Sequence, residues 1–424
     1  MNMLRNLLFA SLILGSCNLA FSQILVNPVI NGVGLSENGA LSARHEDATL
    51  AAKRAAARSA NQTQGLAFVS LPRALDALRA NVEQKQPIPE NLKYLGGLTR
   101  IRFVYLYPEQ KDIILAGPSE AIDATNPLTP VGKSTGHPIL QLEDLVVVLR
   151  AVSSAKSDFF GCSLDSLPNT QKTSDDVVKK FGNGPREKLI AEMKKAMGPQ
   201  TVRIFGVPED SRAAFVMLAA DYRLKSLSMG AEPAPIDGLA SAVNDAAAAS
   251  RLWFETSYEP LLVSENADAF EIRGSRVRVN CGAQNFEPKG ASEAAQRFAK
   301  TFTEKMPALA EKIDAFADLQ NISDLLFVAA LIKHDKLDQK TGIDLAWALD
   351  ATKFKPAALP IPKTADTLVH ISGKAIASGG VGLGYNSAIA TDHRQTDTVK
   401  TLEQSKNRSP ENWLLTTSPA AAKK

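Results

Sequence analysis

The chain has 424 residues, of which 45% are hydrophobic and 22% are charged. This composition is typical of a globular protein with two domains or one large one. The 48 basic and 45 acidic residues leave a net charge of +3, and no block of like charges interrupts the chain. We therefore expect no nucleic-acid partner, because such binding requires a basic surface.

The first 22 residues have the layout of a secretory signal peptide. Arg5 supplies a positive charge, residues 7–14 are an apolar run, and small side chains follow at Ala20 and Ser22. The apolar run is too short to span a bilayer, so it predicts export and removal. We expect the protein in the periplasm or at the cell surface, with no transmembrane helix in the mature chain.

Two processing sites compete within this segment. Cleavage after Ser22 gives a mature chain that begins at Gln23, and this is the favoured interpretation. The alternative is the lipoprotein-like sequence Leu14-Gly15-Ser16-Cys17, which leaves Cys17 as a lipid anchor at the mature N-terminus. Both alternatives predict an exported protein.

Export also affects the oxidation state that we expect for the remaining cysteines. Beyond the signal segment the chain contains Cys162 and Cys281. In an oxidising compartment they form either one disulfide or two buried, unpaired thiols. Two cysteines and five scattered histidines lack the spacing of a zinc site, so we predict neither a metal nor a cofactor.

The first half of the mature chain alternates between predicted helices and strands. Residues 23–70 are predicted to be an extended start followed by a polar surface helix. Apolar residues at helical spacing predict a helix from residue 71, and strict alternation predicts a hairpin over residues 100–117. The segments that follow are a helix at 140–152, a strand at 158–165 and two helical segments within 174–197.

Residues 201–230 form the clearest unit of the sequence. Its first residues alternate like a strand, and Pro208 ends that strand. Ser211 is expected to cap the next helix, in which residues 213–220 carry no charge and therefore predict burial on all sides. Gly230 is expected to end the helix in the left-handed conformation that glycine adopts most easily.

These elements predict an α+β fold. Residues 71–340 are predicted to be a mixed core of helices on a partly antiparallel sheet, followed by a β-rich segment and a helical pair, with a sub-boundary near 231–240. Residues 341–386 are predicted to be a linker and a strand pair that includes the glycine-rich sequence GGVGLG. Residues 387–424 are polar and predicted to be disordered.

Four long blocks of the sequence carry a resemblance to a known family. They are YLGGLTRIRFVYLYPEQKDIILAGPSE, GHPILQLEDLVVVLR, FFGCSLD and VRIFGVPEDSRAAFVMLAADYRLKSLSMG, in that order. Together they resemble an uncharacterised family of exported bacterial proteins, best known from planctomycetes and defined by a domain of unknown function. The resemblance extends over residues 71–331 and implies export and a shared fold, but it supplies no catalytic residues.

Two residues are candidates for a nucleophile. Ser134 lies in GKSTG, which fits the G-x-S-x-G pattern, but the prolines around it favour a surface turn over a strand-to-helix elbow. Cys162 lies at the end of a predicted strand, and His137 is the histidine nearest to this block. A catalytic cysteine needs a histidine beside it, so a buried structural cysteine is the favoured interpretation.

A polar set interrupts the apolar helix of the central unit. Asp221 and Lys225 are four residues apart, so they share a helix face and are predicted to pair. A structural ion pair is the favoured interpretation. The functional alternative is a ligand pocket at which Arg203, Arg223 and Lys225 converge on an anion, with Asp221 beside them.

These observations predict a non-catalytic binding or structural protein of the cell envelope, with an envelope protein or ligand as its partner. The alternative is a periplasmic hydrolase that uses Ser134 or Cys162 as its nucleophile. The two are distinguished by whether either residue has a histidine or carboxylate within hydrogen-bonding distance in a cleft.

Overall fold

The computed structural model describes residues 32–36, 39–43, 56, 65–154, 159–168, 170–239, 251–282, 287–369 and 378–407. The predicted signal peptide, both processing sites, most of the early surface helix and residues 408–424 lie outside the described residues. The described part contains 13 helices and mixed sheets, with 43% helix and 23% strand. The predicted α+β class is confirmed.

The strands are β1 Val33–Leu35, β2 Leu41–Ala43, β3 Gly65–Ser70, β4 Phe103–Tyr107, β5 Asp112–Ser119, β6 Ile122–Asp123, β7 Val131–Gly132, β8 Phe159–Asp165, β9 Gln200–Phe205, β10 Arg251–Thr256, β11 Leu261–Val263, β12 Ala269–Glu271, β13 Val277–Gly282, β14 Thr364–Ala365, β15 Ser378–Gly384 and β16 Arg394–Thr396. The helices are α1 Leu71–Glu83, α2 Glu90–Lys93, α3 Leu142–Ser154, α4 Thr170–Phe181, α5 Arg186–Met197, α6 Arg212–Ser228, α7 Glu293–Glu304, α8 Met306–Ala310, α9 Asp314–His334, α10 Leu337–Thr341, α11 Ala346–Leu349, α12 Ser387–Asp392 and α13 Thr401–Asn407.

The larger sheet has eight strands in the order β1-β2-β14-β9-β8-β15-β10-β13. Strands β8 and β9 are antiparallel, as are β8 and β15, whereas β10 and β15 run parallel. Helix α6 packs against β8, β10 and β15. Because side chains alternate across a strand, Cys162, Val381 and Phe254 share the face that α6 covers.

The second sheet has six strands in the order β16-β11-β12-β4-β5-β3. The predicted hairpin of residues 100–117 is its β4–β5 pair, with Tyr105 opposite Ile114. Val104 and Leu115 belong to the main core, whereas Tyr105 and Ile114 belong to a smaller cluster on the other face. Both faces of this hairpin are therefore buried.

The central unit folds as predicted. Strand β9 is followed by helix α6, and the Ser211 hydroxyl accepts a hydrogen bond from the Ala214 N–H at 3.2 Å. Almost every residue of α6 is buried, including the uncharged run that the sequence placed in a core. Gly230 has a φ of 62°, the left-handed conformation expected after the helix.

Helix α9 is also buried along most of its length. The sequence predicts a pair of helices within residues 291–333, split near Pro307, and α9 is the long second helix, with 21 residues that pack on α3 and α6. Within the described ranges it is the one helix that is long and apolar enough to cross a membrane. Its apolar window is entirely buried inside the protein, as expected for a core helix.

The last part of the chain departs from the predictions. Strand β15 inserts between β8 and β10, and β14 pairs with β2 and β9, whereas residues 370–373 of the other strand predicted for the last strand pair lie outside the described residues. The first part of the predicted disordered tail forms α12, β16 and α13. Strand β16 pairs with β11, and Leu402 is buried beside Tyr105. These contacts join segments that are far apart in the chain, so the polar composition of residues 387–407 did not predict them.

The two cysteines are free and buried. Cys162 lies on β8 and Cys281 on β13, with β15 and β10 between them. Three strand spacings separate the two by about 14 Å, far more than a disulfide spans. The disulfide interpretation is therefore wrong for this fold.

Candidate functional site

The structure forms the predicted pair between Asp221 and Lys225. The ammonium Nζ donates to Asp221 Oδ2 at 2.7 Å, and both side chains are fully buried on α6. Burial raises the pKa of Asp221 and lowers that of Lys225, while each partner favours the charged form of the other. The other oxygen, Asp221 Oδ1, lies toward Gly379 of β15, so the ion pair is buried between α6 and the sheet.

Arg203 and Arg223 do not join this pair. The register of β8 and β9 pairs Arg203 with Ser163, so Arg203 lies on the sheet face opposite to α6. It contacts Asp165 at 3.3 Å and is 70% exposed. Arg223 instead contacts Glu232 at 3.1 Å. The predicted convergence of these arginines with Lys225 is absent, and the Asp221–Lys225 pair has the features of a structural ion pair.

Cys162 is not arranged as a nucleophile. Its side chain is fully buried between the sheet and α6, and burial raises the pKa of its thiol well above the ordinary value, with Asp221 adding to the effect. A catalytic cysteine needs the opposite shift, because the thiolate is the reactive form. His137, the histidine that the sequence placed nearest, contacts Glu311 at 3.1 Å.

Ser134 lies in a turn held by Glu120. The Glu120 carboxylate accepts hydrogen bonds from the Ser134 N–H and the Thr135 N–H, each at 2.8 Å. The next helix, α3, begins only at Leu142. The strand-to-helix elbow of a G-x-S-x-G nucleophile is therefore not formed, and the surface-turn interpretation agrees with the structure.

Sequence reasoning missed a buried charge cluster around Arg212. Its guanidinium contacts Asp144 of α3 and Asp318 of α9, each at 2.5 Å, and all three side chains are buried. Burial raises the pKa of Asp144 to about 6. The Asp318 carboxylate also raises this pKa, whereas the Arg212 guanidinium lowers it. This cluster ties the start of α6 to two other helices.

A second missed cluster surrounds Asp324 of α9. Its carboxylate contacts Arg100 at 2.7 Å and Arg276 at 2.9 Å, and it accepts the Ile101 N–H at 2.9 Å. Burial alone would raise the pKa of Asp324, but the two arginines hold it below its usual value. These partners come from two parts of the chain that are both distant from Asp324, so no local motif marks the cluster.

A cleft with a volume of about 910 Å³ opens at the carboxyl ends of β10 and β15. We call it the aromatic cleft; its lining includes Phe159, Glu255, Tyr258, Arg278, Gly384, Tyr385 and Ile389. The end of α9 and the start of α12 complete it. None of the predicted site residues lines it.

An aromatic stack forms one wall of the aromatic cleft. The Tyr385 ring stacks on His334 at 5.3 Å between centroids and contacts Tyr258 at 6.0 Å. The Tyr258 hydroxyl donates to Gly384 O at 2.9 Å and accepts the Asn386 N–H, so it connects the loops after β10 and β15. Burial raises the pKa of Tyr258 to about 12, which keeps this hydroxyl protonated.

Another part of the aromatic cleft is formed by glycines of β15 and by the ion pair between Glu255 and Arg278. Val381 and Leu383 of β15 face the core, which leaves glycines at 382 and 384 toward the cleft. On the neighbouring strands, Glu255 accepts from Arg278 Nε at 2.7 Å. The GGVGLG sequence was the one local signal of this surface, because alternate glycines give a strand one face without side chains.

A second, more enclosed cleft of about 560 Å³ lies on the other side of the loop that follows β10. Its ionisable lining residues are Arg100, His137, Glu259, Glu304 and Glu311. Arg100 is occupied by Asp324, and His137 by Glu311. Within the described part of the chain, no group of three or more His, Cys, Asp or Glu side chains is arranged to hold a metal ion.

The comparisons with known proteins give one result. A family profile with the description "Protein of unknown function (DUF1598)" matches residues 162–241. The resemblance to a family with a domain of unknown function is confirmed over these residues, which include Arg203, Asp221, Arg223 and Lys225. The comparisons with curated proteins and with solved structures gave no match.

Proposed function

We propose that this protein is exported to the bacterial envelope and acts there as a non-catalytic binding protein, with its ligand in the aromatic cleft. The observation that carries this proposal is the placement of exposed apolar side chains. Among the described residues, two of the five large hydrophobic side chains that remain exposed, Phe159 and Ile389, line this cleft. Apolar groups left exposed around a concave surface mark a binding site.

The size and lining of the aromatic cleft support the same proposal. Ligand pockets enclose about 300–1,000 Å³ and combine apolar and aromatic walls with a few polar groups. The volume of about 910 Å³ falls in this range, and Glu255 and Arg278 supply polar groups beside the aromatic wall. The cleft is therefore suited to a ligand that has both apolar and polar surfaces.

Catalysis is not part of the proposal, because the two candidate nucleophiles lie elsewhere. Ser134 is in a turn held by Glu120, and Cys162 is buried between the sheet and α6. Neither residue lines the aromatic cleft. The carboxylate beside Ser134, that of Glu120, accepts the backbone N–H of this residue, and the thiol of Cys162 has a raised pKa, so neither residue is arranged as an activated nucleophile.

Export is supported by the layout of residues 1–22 and by the resemblance to exported proteins of planctomycetes. A fusion of residues 1–30 to a reporter that is active only in the periplasm should give active reporter. Mass spectrometry of the mature N-terminus distinguishes a start at Gln23 from a lipid-modified Cys17. Retention of all reporter in the cytoplasm would contradict the assigned compartment.

Binding is tested by sedimentation of the purified mature protein with insoluble envelope material, using peptidoglycan sacculi and outer-membrane vesicles separately. Ile389→Ser alters the aromatic cleft, and Leu167→Ser is a matched control because the two side chains are 42% and 43% exposed and Leu167 lies outside the cleft. We expect Ile389→Ser to weaken binding about tenfold, the scale of losing one buried aliphatic contact. Equal loss in both variants, or no sedimentation of the wild type, would overturn the proposal.

A further inference from the structure

The glycines of β15 make the aromatic cleft into a slot. Strands β8 and β10 lie on either side of β15, so their side chains are separated by two strand spacings, or about 9.5 Å. Between them β15 presents Gly382 and Gly384, which have no side chains to fill the gap. Glycine in the interior of a strand is typical of a place where a ligand approaches the backbone closely.

The two sides of this slot differ in chemistry. Phe159 begins β8 opposite Gly384, and the residue is 41% exposed although its ring stacks on Phe205 at 5.5 Å between centroids. Glu255 on β10 lies opposite Gly382 and is held by Arg278, whose side chain is 54% exposed. A ring seated on the glycines would meet an aromatic face on one side and a hydrogen-bonding pair on the other.

We infer that the slot binds a saccharide ring of an envelope glycan, an inference that rests on the proposed function. A pyranose ring has apolar C–H faces and an edge of hydroxyl groups. Its face matches the exposed Phe159 ring, and its hydroxyls match Glu255 as an acceptor and Arg278 as a donor. The Phe159 ring, the Glu255 carboxylate and the Arg278 guanidinium would then each contact a part of the sugar with matching chemistry.

Two other ligand classes fit the slot less well. A purely apolar ligand would remove water from the Glu255–Arg278 pair without returning hydrogen bonds, which is unfavourable for charged groups. A phosphate-bearing ligand would bring negative charge beside the Glu255 carboxylate. Of the two long basic side chains in the lining, Arg278 already bonds Glu255 and Lys333 donates to the Val152 carbonyl at 2.7 Å. A saccharide avoids both costs because its hydroxyls are neutral donors and acceptors.

The inference is tested by calorimetric titration of the purified mature protein with two defined probes, the β-1,4-linked tetramer of N-acetylglucosamine and cellotetraose. We expect saturable binding of at least one probe by the wild type. Gly384→Val places a side chain in the slot and should abolish that binding, and Arg278→Gln should weaken it about tenfold, the scale of one hydrogen bond to a charged group. Leu167→Ser, outside the cleft, should bind as the wild type does.

Arg278→Gln keeps the test valid if Gly384→Val does not fold, because Arg278 is a largely exposed side chain. Binding of neither tetramer by the wild type, or equal binding by wild type and Arg278→Gln, would overturn the saccharide inference. If the wild type still sediments with envelope material in either case, the proposed binding function stands with a different ligand class. If the wild type also fails to sediment with envelope material, both the saccharide inference and the proposed binding function are overturned.

Discussion

The buried helices and the aromatic cleft place charged residues in contrasting ways. Around α6 and α9, several buried charges are bonded to a charge close by, as Arg212 is to Asp144 and Asp318. In the cleft, Arg278 is 54% exposed although it bonds Glu255. The family match at residues 162–241 includes Arg212 and Asp221 but no residue that lines the cleft. The binding surface proposed here therefore lies outside the matched residues.

The largest effect is expected at Arg212. Arg212→Met leaves Asp144 and Asp318 buried together without their shared cation, and breaking a buried ion pair costs about 3–5 kcal/mol. Urea unfolding at pH 7 measures the change in the free energy of unfolding. The control is Arg297→Met, which removes an exposed pair with Glu293 and should cost less than about 1 kcal/mol. Equal losses in the two variants would show that the buried cluster has no special role.

The next effect concerns the Asp221–Lys225 pair. Lys225→Met alone leaves a buried carboxylate without its cation and should cost about 3 kcal/mol. The double variant Asp221→Asn with Lys225→Met should cost at least about 1 kcal/mol less than the sum of the single changes, because the two groups are coupled. Denaturant unfolding of all four proteins completes the cycle. Strict additivity would contradict the observed pair.

A smaller effect is expected in the pH dependence of stability. The folded-state pKa of Asp144 is about 6, above its unfolded value of about 3.9. Between these values the native state binds more protons, so this residue's contribution to the free energy of unfolding falls as pH rises from 4 to 6. Asp144→Asn should remove this contribution, which is about 2 kcal/mol. Parallel stability curves for wild type and variant at pH 4–7 would be evidence against the raised pKa.

The smallest effect is expected in the aromatic cleft. Ile389 is 42% exposed, so Ile389→Ser should change the free energy of unfolding by about 0.5 kcal/mol or less. The buried Leu326 of α9 gives the contrast, since Leu326→Ala should cost about 2–5 kcal/mol. Thermal unfolding of the two variants measures both changes. A large loss for Ile389→Ser would mean that the cleft is part of the stabilising core.

The sequence predicted features that depend on neighbouring residues. Ser211 capping α6, Gly230 ending it and the Asp221–Lys225 pair all involve residues within four positions, where helix geometry fixes the contact. It missed the Arg212 cluster because Asp144 and Asp318 are 68 and 106 residues away. It also proposed Arg203 for the ligand site without knowing which sheet face that residue occupies.

The sequence by itself determined the α+β class, most of the helices and strands up to residue 334, and the burial of α6, because hydrophobic periodicity and capping are local properties. The tertiary structure decided where β15 lies. Its insertion between β8 and β10 separates Cys162 from Cys281 and creates the glycine-floored slot. Strand order depends on pairings between distant segments, and the alternation of residues within a strand does not specify its neighbours.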